Sequence, residues 1–254
     1  MSEPFRILTV CTGNICRSPA AEFLLRRGLG AGVVVESAGV AALVDRPVDP
    51  QMAERLRAGG VDTDGFRARY LTPELIERAD LVLAMTRDHR AEVVTAVPRA
   101  LGRTFTLTEY AAALEQWTEG GQTQPFYTLR VPDRLAEFTA IAAQRRGTIR
   151  FTDPDQYDVP DPFRAAPGVY DEALRRIGAA VDSIVGRLRG LEPVAGPDSA
   201  DRGMSEVWGG ASAAGPGPGQ DRSGPVAERP WGQGAAGEGS DEGGLRRLFR
   251  RRRP

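Results

Sequence analysis

Lysine is absent from this 254-residue chain, histidine occurs once, and cysteine occurs twice. All 33 basic side chains are therefore arginine; against 34 acidic ones they leave a net charge of −1. The arginine-only set reads as a bias of GC-rich coding and carries no mechanism. With no positive excess, the chain lacks the basic field that a nucleic-acid-binding protein spreads over one face, so nucleic acid is not an expected partner. Cys11 and Cys16 are too few and too close together to staple a secreted fold, and the N-terminus lacks the charged-then-apolar layout of a signal peptide. No apolar run approaches the ~18 residues of a membrane span; the longest are residues 38–44 and 81–85. The expected location is the cytoplasm.

Hydrophobic residues make up 41% of the chain, which allows one domain or two. The composition changes near Gly190. Residues 190–254 hold 15 glycines and 7 prolines, half of all the glycine in the chain, with almost no aliphatic periodicity. Such a segment buries too little apolar surface to offset its ordering entropy and is expected to be a disordered tail. The expected folded domain is residues 1–189, itself close to neutral.

Within that domain strand and helix alternate. Strands are expected at 5–10, 33–37, 79–85 and 104–107, and helices at 19–29, 49–59, 72–78, 87–97, 108–117 and 169–188. In the last helix Leu174, Ile177, Val181, Ile184 and Leu188 recur at helical spacing. Strands separated by helices imply a parallel sheet covered on both faces. In such sheets ligands bind beyond the carboxyl ends of the strands.

The end of the first strand reads Val10-Cys11-Thr12-Gly13-Asn14-Ile15-Cys16-Arg17-Ser18-Pro19. A strand runs into a short loop, and Pro19 then opens a helix behind Ser18 as its cap. Backbone N–H groups of such a loop, aimed from a helix N-terminus, form an anion cradle. Gly13 and Asn14 are residue types that accept positive φ, which lets successive N–H groups turn inward. Arg17 adds a planar fork that holds two phosphate oxygens at once. Cys11 sits at the base of the cradle, where the positive field favours the thiolate. A nucleophile beneath a phosphate is the result. In a chain that is about 13% arginine the Cys-to-Arg spacing alone is weak evidence. A preceding strand, Gly-Asn inside, Ser-Pro after and a following helix are separate requirements, and all are met within ten residues. The plain alternative, a small buried thiol and a solvated arginine at a helix start, needs none of them.

This segment resembles the signature loop of the low-molecular-weight protein tyrosine phosphatases. Ser37-Ala38-Gly39, the run Ala79 to Met85, and Asp161-Pro162-Phe163 fall in that family's order, and the resemblance covers most of residues 5–109 and 155–188. It implies an α/β, flavodoxin-like three-layer fold with a four-stranded parallel sheet. It also implies hydrolysis of phosphotyrosine through a phosphocysteine, with no metal and no cofactor. On this resemblance Cys11 is the nucleophile, and Arg17 binds the phosphoryl oxygens together with Thr12, Gly13, Asn14, Ile15, Cys16 and Ser18. Ser18 donates to the Cys11 thiolate, Asn14 locks the loop, and Asp161 is the general acid and then the base. The division of labour also follows from chemistry, because a phosphate monoester needs charge-stabilising donors, an in-line nucleophile and a proton for the leaving oxygen. Asp-Pro is also a common turn opener, so Asp158 stands as the alternative acid. Phe163 replaces the family's usual tyrosine, keeping an aromatic wall without a hydroxyl. Family resemblance further implies a reversible Cys11–Cys16 disulfide; the other reading of Cys16 is a buried space-filler.

Ile15 leans towards phosphotyrosine, since phosphoarginine-hydrolysing relatives tend to carry threonine there. Arsenate reductases share the loop but relay electrons through further cysteines, and none lies beyond Cys16; a reductase that borrows an external thiol is the first alternative. A non-enzymatic phosphate-binding scaffold is the second. Leu43 and Val44 stand where the family often supplies an aromatic wall. An insertion at about 111–154 is read as a helix over 132–146 plus aromatic residues at Trp117, Phe126 and Tyr127. It is either an extra helix packed on the core or a lid or docking element beside the acid loop. His89, in a polar helix, reads as a surface residue. The expected partner is a phosphotyrosine protein, with a cognate tyrosine kinase as one candidate. In the final ten residues, 245–254, six arginines accompany three apolar side chains, a composition suited to anionic membrane or an acidic partner.

Overall fold

The computed structural model describes residues 3–119, 129–145, 147 and 153–190. The tail expected over 190–254 therefore lies outside the described residues beyond Gly190, as do Phe126 and Tyr127. Strand β1, Phe5–Cys11, is buried on both faces at every position except Phe5's neighbour Arg6. It pairs in parallel with β2, Val33–Gly39, on one side and with β3, Leu81–Ala84, on the other. The short strand β4, Thr104–Thr106, completes a four-stranded parallel sheet of order β2-β1-β3-β4. Successive side chains of β1 point to opposite faces. Ile7 and Cys11 join one core with Leu81, Leu83 and Phe105. Leu8 and Val10 join the second with Val82, Ile76 and Val93.

Helix α1, Arg17–Leu29, packs on the first face with α7, Pro167–Arg189. Between them Gly28 is required, since a Cβ there would lie 2.4 Å from Val185 Cγ2. Helix α2, Pro50–Ala58, is capped by Asp49, whose side chain accepts from Gln51 N. The other face carries α3, Pro73–Arg78, capped by Thr72, and α4, Arg87–Ala96, capped by Thr86. Helix α5, Leu107–Glu119, lies along α7. In α7, Tyr170, Leu174, Ile177, Val181, Ile184 and Leu188 are all buried. Each such side chain contributes roughly 1.5–3 kcal/mol on burial, so the stripe read from the sequence anchors this helix. Gly190, at φ 77°, ends it in the left-handed conformation.

The insertion supplies helix α6, Val131–Gln144, close to its expected span. Leu135 and Phe138 are fully buried, and Phe138 packs on Tyr110 and Trp117 at ring-centroid distances of 5.0 and 6.0 Å. Pro132 touches Gly32, immediately before β2, and the Arg134 guanidinium bonds the Leu188 carbonyl at the far end of α7. The helix also contacts the 3-10 turn Pro98–Arg103 that leads into β4. It therefore covers the amino ends of the strands. Of the two readings of the insertion, α6 takes the packed-helix one and is no lid over the carboxyl ends. Among the described residues no helix is long and apolar enough to cross a membrane.

One boundary differs in a way that matters for the site. The sequence places Ser18 as cap and Pro19 as first helical residue, but α1 begins at Arg17, with Cys16 as a cap residue that makes no side-chain cap bond. The Ser18 hydroxyl is engaged elsewhere, and the backbone donors of the first turn are left to the loop.

Candidate active site

Strand order reverses between β1 and β3, so the loops that follow them face each other across the switch point at the carboxyl edge of the sheet. The loop from Thr12 to Cys16 has its carbonyls fastened outward. Cys11, Thr12 and Gly13 carbonyls accept the N–H groups of Val40, Ala41 and Leu43 at 3.0 Å each, and the Ile15 carbonyl accepts that of Asp49 at 2.8 Å. Among the described residues no protein acceptor takes the N–H groups of Thr12 through Cys16. Fastening the carbonyls outward turns these donors toward a common centre, as an anion cradle requires. Asn14 makes the turn at φ 53°. Gly39 closes against it: a Cβ there would lie 2.4 Å from Thr12 O and 3.0 Å from Asn14 N, so no larger residue fits without moving the loop.

At the base, Cys11 is 2% exposed and its Sγ lies 2.9 Å from Ser18 Oγ. Asn14 is fully buried and uses every polar atom of its amide. Its Nδ2 donates to Ser18 Oγ at 3.1 Å and Ser37 Oγ at 2.8 Å, and its Oδ1 accepts the Arg69 N–H at 2.9 Å. Ser37 Oγ in turn donates a hydrogen bond to Glu22 Oε2 at 2.5 Å. Burial pushes the Glu22 carboxyl up from its ordinary range, against the lowering effects of the Ser37 bond and of Arg26 and Arg69. The loop is thus held from behind by buried polar groups that satisfy one another, the arrangement that fixes a single conformation.

Arg17 is 4% exposed. Its Nη1 donates to the Val159 carbonyl at 3.2 Å, and its Nη2 reaches Thr12 Oγ1 at 3.3 Å and Asp161 Oδ2 at 2.7 Å. Arg17 Nε is buried without a partner. An orphaned buried donor carries a desolvation cost that an anion oxygen would relieve. Val159 N in turn donates to Met85 O at 2.8 Å, which docks the late Asp loop on the end of β3. Asp161 is half-exposed, and its Oδ1 accepts the Phe163 N–H at 3.2 Å. Asp158 is committed elsewhere: its carboxylate takes the Arg87 N–H at 2.8 Å and the guanidinium at 2.9 and 3.2 Å. Of the two aspartates only Asp161 faces Arg17.

His89 is 5% exposed, contrary to the surface placement expected from its polar helix. His89 and Val93 are the buried residues of α4 and lie one turn apart, so they share the face turned to the sheet. Its Nε2 lies 2.9 Å from Thr12 Oγ1 and its Nδ1 lies 2.8 Å from Thr86 Oγ1. Burial, and then the charge of Arg17, push its pKa down to about 4.

A family model described as low molecular weight phosphotyrosine protein phosphatase matches residues 6–144. The chain belongs to that family. EpsP of Ralstonia nicotianae, named a probable low molecular weight protein-tyrosine-phosphatase, is 34% identical over 185 residues that span 73% of this phosphatase and 97% of EpsP. Among solved structures, the YwlE arginine phosphatase of Geobacillus stearothermophilus is similar at a TM-score of 0.54 and 28% identity, over 74% of this chain and 94% of its own. Wzb of Vibrio vulnificus in complex with benzylphosphonate is similar at 0.51 and 26%, over 71% and 97%.

In the phosphatase both cysteines are free thiols and both are buried. Burial pushes the Cys16 thiol well above its ordinary value, with Asp49 adding to the effect. Ile15 is 6% exposed, so the loop offers no polar side chain there. Leu43, bonded through its N–H to Gly13, and its neighbour Val44 stand exposed beside the loop, and Phe163 stands exposed beside Asp161. The mouth therefore has an aliphatic and an aromatic wall. Sequence reasoning missed the supports contributed by Glu22, Arg69 and His89. Arg69 and His89 meet the loop directly and Glu22 through Ser37, and no local spacing announces any of them.

Proposed function

We propose that Cys11, Arg17 and Asp161 carry out a two-step hydrolysis of phosphotyrosine in protein. The observation that carries this reading is a buried thiol 2.9 Å from a hydroxyl, beneath inward-facing backbone donors, with Arg17 and Asp161 meeting at the rim. A phosphoryl dianion entering the loop competes with the Asp161 carboxylate for the Arg17 fork and takes up the orphaned Nε. The Cys11 thiolate, stabilised by Ser18, attacks phosphorus in line. Asp161, displaced from Arg17, takes up a proton from solvent; the S–P bond forms, the P–O bond to the phenol breaks, and Asp161 delivers that proton to the departing oxygen. Water then attacks phosphorus while the Asp161 carboxylate takes its proton. The S–P bond breaks, and inorganic phosphate and the thiolate are released. No cofactor enters this balance.

The substrate class follows from the mouth. Phe163 offers an aromatic face to a phenyl ring, and Leu43 with Val44 a less specific one. A buried isoleucine at position 15 supports a phosphotyrosine protein over a phosphoarginine one, despite the likeness in fold to an arginine phosphatase. A tyrosine kinase bearing phosphotyrosine is one partner of this chemistry. Hydrolysis of an aryl phosphate without added metal tests the assignment. Cys11→Ser is expected to abolish turnover, and Asp161→Ala to lower kcat by about 10²–10⁴. Full activity in either folded variant contradicts it, and faster hydrolysis of phosphoarginine than phosphotyrosine peptides contradicts the substrate class. Arsenate turnover with an added thiol, in place of aryl phosphate hydrolysis, would favour the reductase.

A further inference from the structure

His89 is the only histidine of the chain, and both of its ring nitrogens meet threonine hydroxyls. Thr86 Oγ1, 2.8 Å from Nδ1, already accepts the backbone N–H of His89 at 3.2 Å as the cap of α4. Thr12 Oγ1, 2.9 Å from Nε2, already accepts from Arg17 Nη2 at 3.3 Å. A neutral imidazole has one N–H and one lone pair, so one threonine must donate to the ring and the other must accept from it. Thr86 is half-buried, and among the described residues Nδ1 is the acceptor within reach of its hydroxyl proton, which favours an Nδ1 that carries no proton. Thr12 is exposed at the rim, so its proton is free to serve other acceptors. This division leaves Nδ1 accepting from Thr86 and Nε2–H donating to Thr12. Thr12 Oγ1 then accepts twice, and its own proton remains beside the Arg17 fork where a phosphoryl oxygen arrives. With the opposite tautomer that proton would be spent on the imidazole, leaving the phosphate one donor short.

We propose that His89 is a positioning residue for phosphate binding: as the Nε2–H tautomer it holds Thr12 so that the Thr12 hydroxyl donates to a phosphoryl oxygen and anchors Arg17 Nη2 beside it. The inference rests on the phosphatase reading of the loop and adds to it a support from across the switch point. The charges that face the ring divide: Arg17 opposes its protonation while Asp161, Asp88 and Asp158 favour it, and burial together with Arg17 outweighs the three carboxylates. The ring therefore stays neutral at pH 7, and its tautomer is the variable that matters.

Because the histidine is unique, its imidazole signals in the 15N-labelled full chain need no assignment. Two-bond 1H–15N spectra recorded at pH 7 with saturating inorganic phosphate are expected to show the Nε2–H tautomer; the Nδ1–H tautomer, or an imidazolium, in the bound state overturns the proposal. In kinetics, Thr12→Val and His89→Leu each raise the inhibition constant of inorganic phosphate and lower kcat/KM for an aryl phosphate by about tenfold or more, the loss of a hydrogen bond to a charged group. The double variant loses no more than the worse single one, and His89→Gln, whose amide N–H replaces Nε2–H, recovers to within about threefold. Losses that multiply in the double variant, or no recovery in a folded His89→Gln, overturn the proposal. If His89→Leu does not fold, the wild-type tautomer and the phosphate affinity of Thr12→Val decide. A wild type that neither binds phosphate nor hydrolyses the ester contradicts the phosphatase reading itself. One that does both with the wrong tautomer contradicts this inference alone.

Discussion

At the scale of the residue, the buried histidine makes stability depend on pH in a defined direction. In the unfolded chain an imidazole titrates near ~6.5, whereas in the fold His89 is held down to about 4 by burial and by Arg17. Between those values the unfolded chain takes up a proton that the folded chain refuses. The contribution is therefore fully present above ~6.5, is lost as pH falls toward 4, and amounts to on the order of 3 kcal/mol. Urea unfolding of the wild type and of His89→Gln at pH 7 and pH 4.5 checks this: the wild type is expected to lose stability relative to the variant on acidification, and a constant difference contradicts it. The histidine also marks where the sequence stops being legible. Cys11, Asn14, Arg17 and Ser18 are readable because they lie within eight consecutive positions whose order encodes the turn. Thr12 and His89 are 77 positions apart, and Asn14 and Arg69 are 55 apart; only the order of the strands brings them together. A polar helix in a sequence shows no sign that one of its turns faces another loop's hydroxyl.

Elements were more legible than contacts between them. The continuous apolar runs and the helical spacings are local signals, and the strands and helices stand within a few residues of where those signals put them. Helix α1 starts earlier than its proline suggests, because the Ser18 hydroxyl bonds the thiol and does not cap the helix. The periodicity of α6 reveals which of its faces is apolar. It says nothing of which end of the sheet that face covers, so lid and packed helix are both compatible with it. Phe138 separates structural from catalytic roles for this element. Cutting it to alanine removes a fully buried ring from between Tyr110 and Trp117, and a loss of about 3–5 kcal/mol is expected, with kcat of the folded fraction unchanged. Chemical denaturation and initial rates on the same sample measure both. A stable but slow Phe138→Ala would show that α6 acts on the site after all.

At the scale of the whole molecule, strand order accounts for the location of the chemistry. With β1 central and its neighbours reached by connections on opposite sides, the loops after β1 and β3 part at the carboxyl edge, and the loop bearing Asp161 docks between them through Val159 and Met85. This arrangement brings Asp161, the proposed proton donor, to the arginine that follows a thiol 150 positions earlier in the chain. In the proposed reaction Cys11 forms a covalent bond to phosphorus in the course of turnover. Denaturing quench of full-length Asp161→Ala turning over an aryl phosphate whose acidic phenol departs without a proton, followed by peptide mass spectrometry, tests this, since loss of the base then slows hydrolysis of the intermediate and not its formation. One added phosphoryl group is expected on the peptide containing Cys11, and none on that peptide in a Cys11→Ala background. Continued turnover by folded Cys11→Ser, or a phosphoryl group carried by another residue, would contradict it.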